Sequence, residues 1–179
     1  MTNVIKLRKG LDINLKGKAV DKVSALGVSG DYALVPDDFV GVKPKVIVKN
    51  GDRVKAGDAL FVNKDCPDVK FASPVSGVVK EVLRGDRRKL QRIVVTADEK
   101  QEFADFGKSD VQSMDGDAVK SKLLESGLFG FINQLPYAVS TTPETSPKAI
   151  FVSAFRDMPL AADFEVELKG EEQNFQAGL

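Results

Sequence analysis

Two short stretches between residues 51 and 79 decide the fold of this chain. The first reads Gly-Asp-Arg-Val-Lys-Ala-Gly-Asp-Ala-Leu (residues 51–60), and the second reads Ala-Ser-Pro-Val-Ser-Gly-Val-Val (residues 72–79). The glycines suit turn positions with φ > 0, and the apolar residues between them suit strands that fill a narrow interior. Together the two stretches predict a small, tightly turned β structure.

The residues around these stretches extend the same pattern. Short apolar runs at 46–48, 61–62, 69–71 and 91–95 are typical of strands, and Asn50-Gly51 supplies a hairpin turn. None of these runs shows the periodicity of a helix. Residues 42–96 are therefore predicted to form an all-β barrel or sandwich.

This segment resembles the biotinyl/lipoyl-type barrel-sandwich hybrid, which raises the question of a carrier function. Such carriers hold a modified lysine at the tip of the hairpin between the two motifs. Here the hairpin, residues 63–70, reads Asn-Lys-Asp-Cys-Pro-Asp-Val-Lys and lacks the Met-Lys-Met or Asp-Lys-Ala signature. Lys64 and Lys70 are interpreted as solvated lysines, and Cys66, beside Pro67, as an exposed thiol of no special role. A carrier stays an alternative, which a mass measurement showing no lysine adduct would dismiss.

Charge divides the chain into two halves. Residues 1–97 hold 19 basic and 11 acidic side chains, a net charge of +8, and residues 98–179 hold 7 and 15, a net charge of −8. This change predicts two domains with a boundary after residue 97. Alternating residues at 4–7 and 11–15 predict half-buried strands before the barrel, and 32–35 predict a short buried strand.

The second half mixes helix and strand signals. An apolar stripe that begins after Asp115 or Asp117 predicts a helix, and Gly127 can cap its end. An apolar, aromatic loop follows at 127–137. The continuous apolar run at 148–154 predicts a fully buried strand. Residues 98–179 are therefore interpreted as the beginning of an α/β domain that is cut short.

Several function classes are excluded by composition. The chain has no histidine and one cysteine, so Ser-His or Cys-His nucleophiles, zinc sites and iron–sulfur clusters cannot form within it. It has no glycine-rich or Walker phosphate loop. No apolar run is long enough to cross a bilayer, and the first residues do not predict a secretory signal. Basic residues cluster only at 84–92 and lack stacking aromatics, so nucleic-acid binding is not expected.

Five stretches carry a resemblance to a known family, the A subunits of the bacterial Na⁺-translocating NADH:quinone reductase (NQR). They are Ile-Lys-Leu-Arg-Lys-Gly-Leu-Asp (5–12), Ser-Gly-Leu-Phe (126–129), Leu-Pro-Tyr (135–137), Ala-Ile-Phe-Val-Ser-Ala (149–154) and Pro-Leu-Ala-Ala-Asp (159–163). The resemblance is to the N-terminal part of that family and spans nearly the whole chain. It implies an α/β, Rossmann-like second domain related to the FMN-binding subunit of complex I and its Rnf counterpart.

Those FMN-binding relatives hold the flavin with a loop of the type Ser-Gly-Leu-Arg-Gly-Arg-Gly-Gly-Ala-Gly-Phe-Pro. Here Ser126-Gly127-Leu128 begins alike, and the loop then departs to bulky residues, Phe129, Phe131 and Ile132. Backbone N–H groups need glycine to approach a phosphate or flavin closely. The loop is therefore not expected to bind FMN. The arginines expected of the NQR family before Leu135 are replaced by Asn133 and Gln134.

The resemblance implies a share in a larger enzyme. The complex oxidises NADH, reduces ubiquinone and exports sodium, with NADH, flavins and iron–sulfur centres in other subunits. This chain would bind no cofactor, would have no catalytic site of its own, and would serve assembly with partner subunits. It would lie peripherally on the cytoplasmic face of the bacterial inner membrane, attached through those partners. The candidate quinone-binding residues are Phe129, Phe131 and Tyr137, because flat rings suit a quinone.

Two further alternatives stay open at the level of sequence. One is the corresponding subunit of an Rnf-type ferredoxin:NAD reductase, which would need the flavin-loop glycines and cluster cysteines that are missing here. The other is an interaction module without a redox role. Burial of all three candidate rings in the core is the structural alternative to a quinone site.

Overall fold

The computed structural model describes residues 6, 10, 15–25, 27, 30–156 and 158–179. Its residues fall into two compact units. One consists of residues 27–148, and the other joins residues 1–26 with residues 149–179. Apart from residues 6 and 15, the predicted strands at 4–7 and 11–15 lie outside the described residues. The domain boundary expected after residue 97 stays a prediction.

Nine strands, three α-helices and four short 3₁₀ turns form the described secondary structure. The strands are β1 (Asp31–Leu34), β2 (Pro44–Val46), β3 (Arg53–Val54), β4 (Ala59–Asn63), β5 (Lys70–Ala72), β6 (Gly77–Arg84), β7 (Leu90–Ala97), β8 (Asn133–Gln134) and β9 (Val139–Ser140). The helices are α1 (Gly116–Glu125), α2 (Phe164–Leu168) and α3 (Glu172–Gly178). The mixed α/β class is thus confirmed, with the strands concentrated where the two glycine motifs lie. None of the helices in the described part of the chain is long and apolar enough to cross a membrane.

Two antiparallel sheets enclose the core of the barrel. One sheet has the order β1-β7-β6-β3, and the other has the order β2-β4-β5. Buried residues alternate with more exposed ones along β5 and the first half of β6, as the period of two requires, whereas β4 is buried from Leu60 to Asn63. The rings of Phe61 and Phe71, from β4 and β5, stack with centroids 4.6 Å apart and are fully buried. Burial of each contributes about 1.5–3 kcal/mol.

The motif glycines have two different structural roles. Gly51 and Gly57 have φ of 89° and 101°, as the turn prediction requires. Gly77 instead allows a close approach between strands, because a Cβ built on it would lie 1.9 Å from the carbonyl oxygen of Thr96 on β7. The turn interpretation was therefore wrong for Gly77. Glycine is needed there because any side chain would collide with the backbone of β7.

The hairpin between the motifs differs from its prediction in two respects, the partial burial of Cys66 and of Lys70. Cys66 is only partly exposed and packs against the core. Its N–H donates to the carbonyl of Asn63 and its carbonyl accepts from Val69 N–H, and these two backbone bonds fold the loop back on the barrel. Lys64 is exposed in the loop, whereas Lys70 lies half-buried on β5.

Helix α1 follows its sequence signals closely. The Asp115 side chain accepts a hydrogen bond from Ala118 N–H at 2.8 Å and caps the first turn. Leu123 and Leu124 pack against the barrel core, and Gly127 ends the segment with φ of 74°.

The buried strand predicted at 148–154 is not formed. Residues 149–156 have no regular secondary structure, and Phe151 is 84% exposed. A fully buried strand needs neighbours on both edges and both faces. In the described chain no strand pairs with this run, so its apolar composition alone does not make it a strand.

Candidate functional site

A group of phenylalanine rings continues from the core to the surface of the barrel unit. Phe39 is its hub, with ring centroids 4.4 Å from Phe71 and 6.2 Å from Phe61. On its other side the ring of Phe131 meets Phe39 edge-on at 5.1 Å. Edge-to-face aromatic pairs of this kind contribute about 0.5–1.5 kcal/mol beyond burial. Phe131 is thus held in place although it is 57% exposed.

A 3₁₀ turn at Phe129–Phe131 seats this part of the chain on β5. Phe129 is only 8% exposed and belongs to the hydrophobic core. Gly130 lies so close to β5 that an added Cβ would be 2.8 Å from the Phe71 ring and 3.1 Å from Val69. A glycine is therefore required here by contact, and the turn packs directly on the barrel.

The segment 131–141, called here the apolar hairpin, follows this turn. Strands β8 and β9 pair in antiparallel register, Asn133 opposite Ser140. The Ser140 hydroxyl donates to the Gly130 carbonyl at 2.7 Å, and Ser140 N–H donates to the Val40 carbonyl at 2.9 Å. Thr141 N–H donates to the Ile132 carbonyl at 2.9 Å. The bond to Val40 ties the base of the hairpin to the barrel, and the other two join the base to the preceding turn and close the hairpin on itself.

The tip of the apolar hairpin projects apolar side chains into solvent. Tyr137 is 81% exposed and Leu135 is 68% exposed, on either side of Pro136. The stretch 126–143 contains no Asp, Glu, Lys or Arg, although 29% of the chain is charged. An exposed apolar tip without charges is the kind of surface that contacts a ligand, a partner or a membrane.

The structure separates the three residues that the sequence proposed for quinone binding. Phe129 is a core residue, whereas Phe131 and Tyr137 are exposed on the same hairpin segment. The sequence did not single out Phe39, the ring that supports Phe131. No sequence signal links the two rings, because they come from separate segments.

Two clefts in the described chain are lined by other residues. One, of about 300 Å³, lies in the barrel unit beside Lys70, Phe106 and Glu125. The other, of about 450 Å³, lies in the second unit beside Phe155 and Phe164. Neither is lined by Phe129, Phe131 or Tyr137, so the apolar hairpin offers an open surface instead of an enclosed pocket.

Among the described residues, two carboxyl groups have a lowered pKa, and both belong to segments other than the apolar hairpin. The pKa of Asp31 is lowered by hydrogen bonds from Lys80 and Thr96. The pKa of Glu172 is lowered by backbone N–H groups.

Comparison with known families gives the two halves of the chain a common assignment. Residues 5–98 match the NqrA N-terminal barrel-sandwich hybrid domain, and residues 114–179 match the NqrA second alpha/beta domain. The chain belongs to the NqrA family. The barrel-sandwich hybrid expected from the two glycine motifs is thereby confirmed, and so is the α/β character of the second half. Its relation to a Rossmann-like fold stays a prediction.

Curated relatives of this NqrA family member are named as the A subunit of the Na(+)-translocating NADH-quinone reductase. The chain is 38% identical over 178 residues to that of Pseudomonas aeruginosa strain UCBPP-PA14. Identity is 37% over 180 residues to the Serratia proteamaculans strain 568 protein and 36% over 178 residues to that of Yersinia pestis bv. Antiqua strain Angola. Each match covers 98% of this chain and 40% of the relative, so the chain spans about two fifths of their length.

Proposed function

We propose that this chain acts in a peripheral, cofactor-free component of a Na⁺-translocating NADH:ubiquinone oxidoreductase. There it takes part in assembly and presents the apolar hairpin to ubiquinone. NADH, the flavins and the iron–sulfur centres belong to partner subunits, and the site of action is the cytoplasmic face of the bacterial inner membrane. Membership of the NqrA family carries this proposal.

The packing of residues 128–131 supports a protein that holds no flavin at this loop. In the FMN-binding relatives the loop backbone must approach the cofactor closely, which glycines permit. Here Phe129 fills core space and Gly130 touches the Phe71 ring. A flavin between this loop and β5 would have to displace both. The relatives' name also favours the sodium pump over an Rnf-type reductase.

The exposed rings support a quinone contact on the hairpin. Phe131 is braced by Phe39 and keeps more than half of its surface free. Tyr137 adds a second flat ring with a hydroxyl that can donate to a quinone carbonyl. Of the three candidate rings, Phe129 is assigned to holding the turn on the core, and Phe131 and Tyr137 are the proposed contacts.

A photoreactive ubiquinone cross-link to the full-length protein tests this proposal. Trypsin would release the whole hairpin in one peptide, residues 123–148. A second peptide, residues 101–108, contains the exposed Phe103 and serves as an internal control. The expected result is labelling of 123–148 that excess ubiquinone competes away and that Phe131→Ala reduces. A Phe103→Ala variant should label normally. If labelling is absent, or if the competitor does not reduce it, the quinone contact would be refuted. Assembly would then be the only role left for this chain.

A further inference from the structure

The β6–β7 hairpin of the barrel ends in a cluster of arginines that the quinone proposal does not use. Residues 84–92, called here the arginine hairpin, contain five basic side chains and one acidic side chain, Asp86. Lys89 is paired with Asp37 at 2.6 Å. The other four, which are exposed and form no ion pair with a described carboxylate, are Arg84, Arg87, Arg88 and Arg92.

Two arginines in the turn of the arginine hairpin have left-handed backbone conformations. Arg87 and Arg88 have φ of 53° and 63°, and the Arg84 guanidinium donates to the Arg88 carbonyl at 3.2 Å. Glycine or asparagine would occupy left-handed positions at lower cost. Two successive arginines in this conformation therefore suggest selection for their charge.

The arginine hairpin and the apolar hairpin are attached to the same short segment, residues 36–40. Lys89 binds Asp37, and Ser140 N–H binds the Val40 carbonyl. Three peptide units separate these two attachment points, which places their Cα atoms within about 11 Å of each other. A patch of positive charge and an uncharged apolar tip thus have neighbouring attachment points on the barrel.

We infer that the two hairpins together form a surface that docks this chain directly onto an anionic phospholipid bilayer. Guanidinium groups bind phosphate oxygens in pairs of hydrogen bonds. Tyrosine and leucine side chains without neighbouring charges suit the interfacial layer just below the headgroups. The inference shares the apolar hairpin with the proposed function but can fail separately, because it requires no quinone.

Other polyanionic partners fit the two hairpins less well. An acidic protein surface would satisfy the arginines, but the uncharged stretch 126–143 would have no complementary feature. A single-stranded nucleic acid would need basic side chains beside the stacking rings. The apolar hairpin carries none.

Vesicle binding by the 179-residue chain tests the electrostatic part. In a flotation assay, the chain should bind vesicles of phosphatidylcholine that contain about 30% phosphatidylglycerol, and it should not bind vesicles of phosphatidylcholine alone. About 0.5 M NaCl should release the bound chain. Each basic side chain at such a surface contributes about fivefold in partitioning, so R87Q/R88Q/R92Q should bind about 100-fold more weakly. The matched control K45Q/K100Q/K108Q changes net charge equally at exposed positions elsewhere and should bind nearly as well as the parent.

Tryptophan substitution tests insertion of the tip, since the chain has no tryptophan of its own. The Tyr137→Trp variant should shift its emission to the blue with anionic vesicles and be quenched by brominated lipid. Phe103→Trp, at a site that is 73% exposed, should do neither.

Three results would overturn the inference. They are absence of binding to anionic vesicles at low salt, equal loss of binding in both triple variants, and binding of the Tyr137→Trp variant without any change in its emission. If vesicles are not bound but the chain is retained on immobilised polyglutamate, the arginine hairpin would instead be assigned to an acidic protein. Equal urea midpoints of the variants and the parent would establish that folding is unchanged.

Discussion

Replacing Gly77 by alanine should destabilise the barrel more than any other single methyl group added at a motif glycine. Gly77 opens β6 and lies opposite Ala97 on β7. An alanine Cβ would lie 1.9 Å from the Thr96 carbonyl oxygen and 3.1 Å from the Ala97 Cα. Both obstacles are backbone, so no side-chain rotation can relieve the contact.

The size of the stability loss in Gly77→Ala follows from how far β6 and β7 must separate. Ordinary contact requires the two strands to separate by more than about 1 Å, at a typical overpacking cost of about 1–3 kcal/mol. Weakening one ladder hydrogen bond adds about 1 kcal/mol. The reduced freedom of the unfolded alanine chain offsets about 0.5 kcal/mol. The expected loss in the free energy of unfolding is about 2.5 kcal/mol.

Two other glycines provide matched controls. Gly51 has φ of 89° with nothing within 4 Å of an added Cβ, so Gly51→Ala tests backbone strain alone and should cost about 1 kcal/mol. Gly116, the first residue of α1, also has open space, and Gly116→Ala should stabilise by about 0.5 kcal/mol.

Urea denaturation followed by far-ultraviolet circular dichroism measures all three variants at constant m-value. The reasoning predicts the order Gly77, Gly51, Gly116 from most to least destabilised. It would be refuted if Gly77→Ala lost no more stability than Gly51→Ala, because the close approach of β6 and β7 would then not constrain the residue.

Three further substitutions test other parts of the molecule. Asp115→Ala removes the acceptor for Ala118 N–H and should cost about 1 kcal/mol in urea denaturation, whereas retention of full stability would argue against the cap. Gly130→Ala brings a methyl group against the Phe71 ring, so a loss of about 2 kcal/mol is expected by the same assay, and a neutral result would mean that the turn is loosely seated. The pKa of Asp31 is lowered from 3.8, so its carboxylate stabilises the fold above that pH and loses its effect as pH falls through the folded pKa. Asp31→Asn should therefore be less stable than the parent at neutral pH and converge with it in acid, and a difference independent of pH would contradict this.

Local chemistry in the sequence was enough to predict the barrel strands and α1. Turn glycines, alternating apolar residues and a capping aspartate act on neighbours within a few positions, so their effect can be read without knowing the rest of the fold. Gly51 and Gly57 occupy left-handed turns, and Asp115 caps its helix, as expected.

The apolar run at 148–154 shows that local composition is not enough to predict a strand. Its composition suits a buried strand, yet strand formation depends on partners that the run itself does not specify. In the described chain it has none, and Phe151 is exposed.

The sequence by itself thus determined the barrel motifs, the capped helix, the absence of histidine and of a second cysteine, and the aromatic character of residues 127–137. Only the tertiary structure decided that Phe129 is buried while Tyr137 is exposed, and that Phe39 supports Phe131. It also decided that the arginine hairpin and the apolar hairpin attach to one segment. Turns and caps are set by nearby backbone geometry, whereas burial and proximity depend on contacts between segments far apart in the chain, which come together only when the core closes.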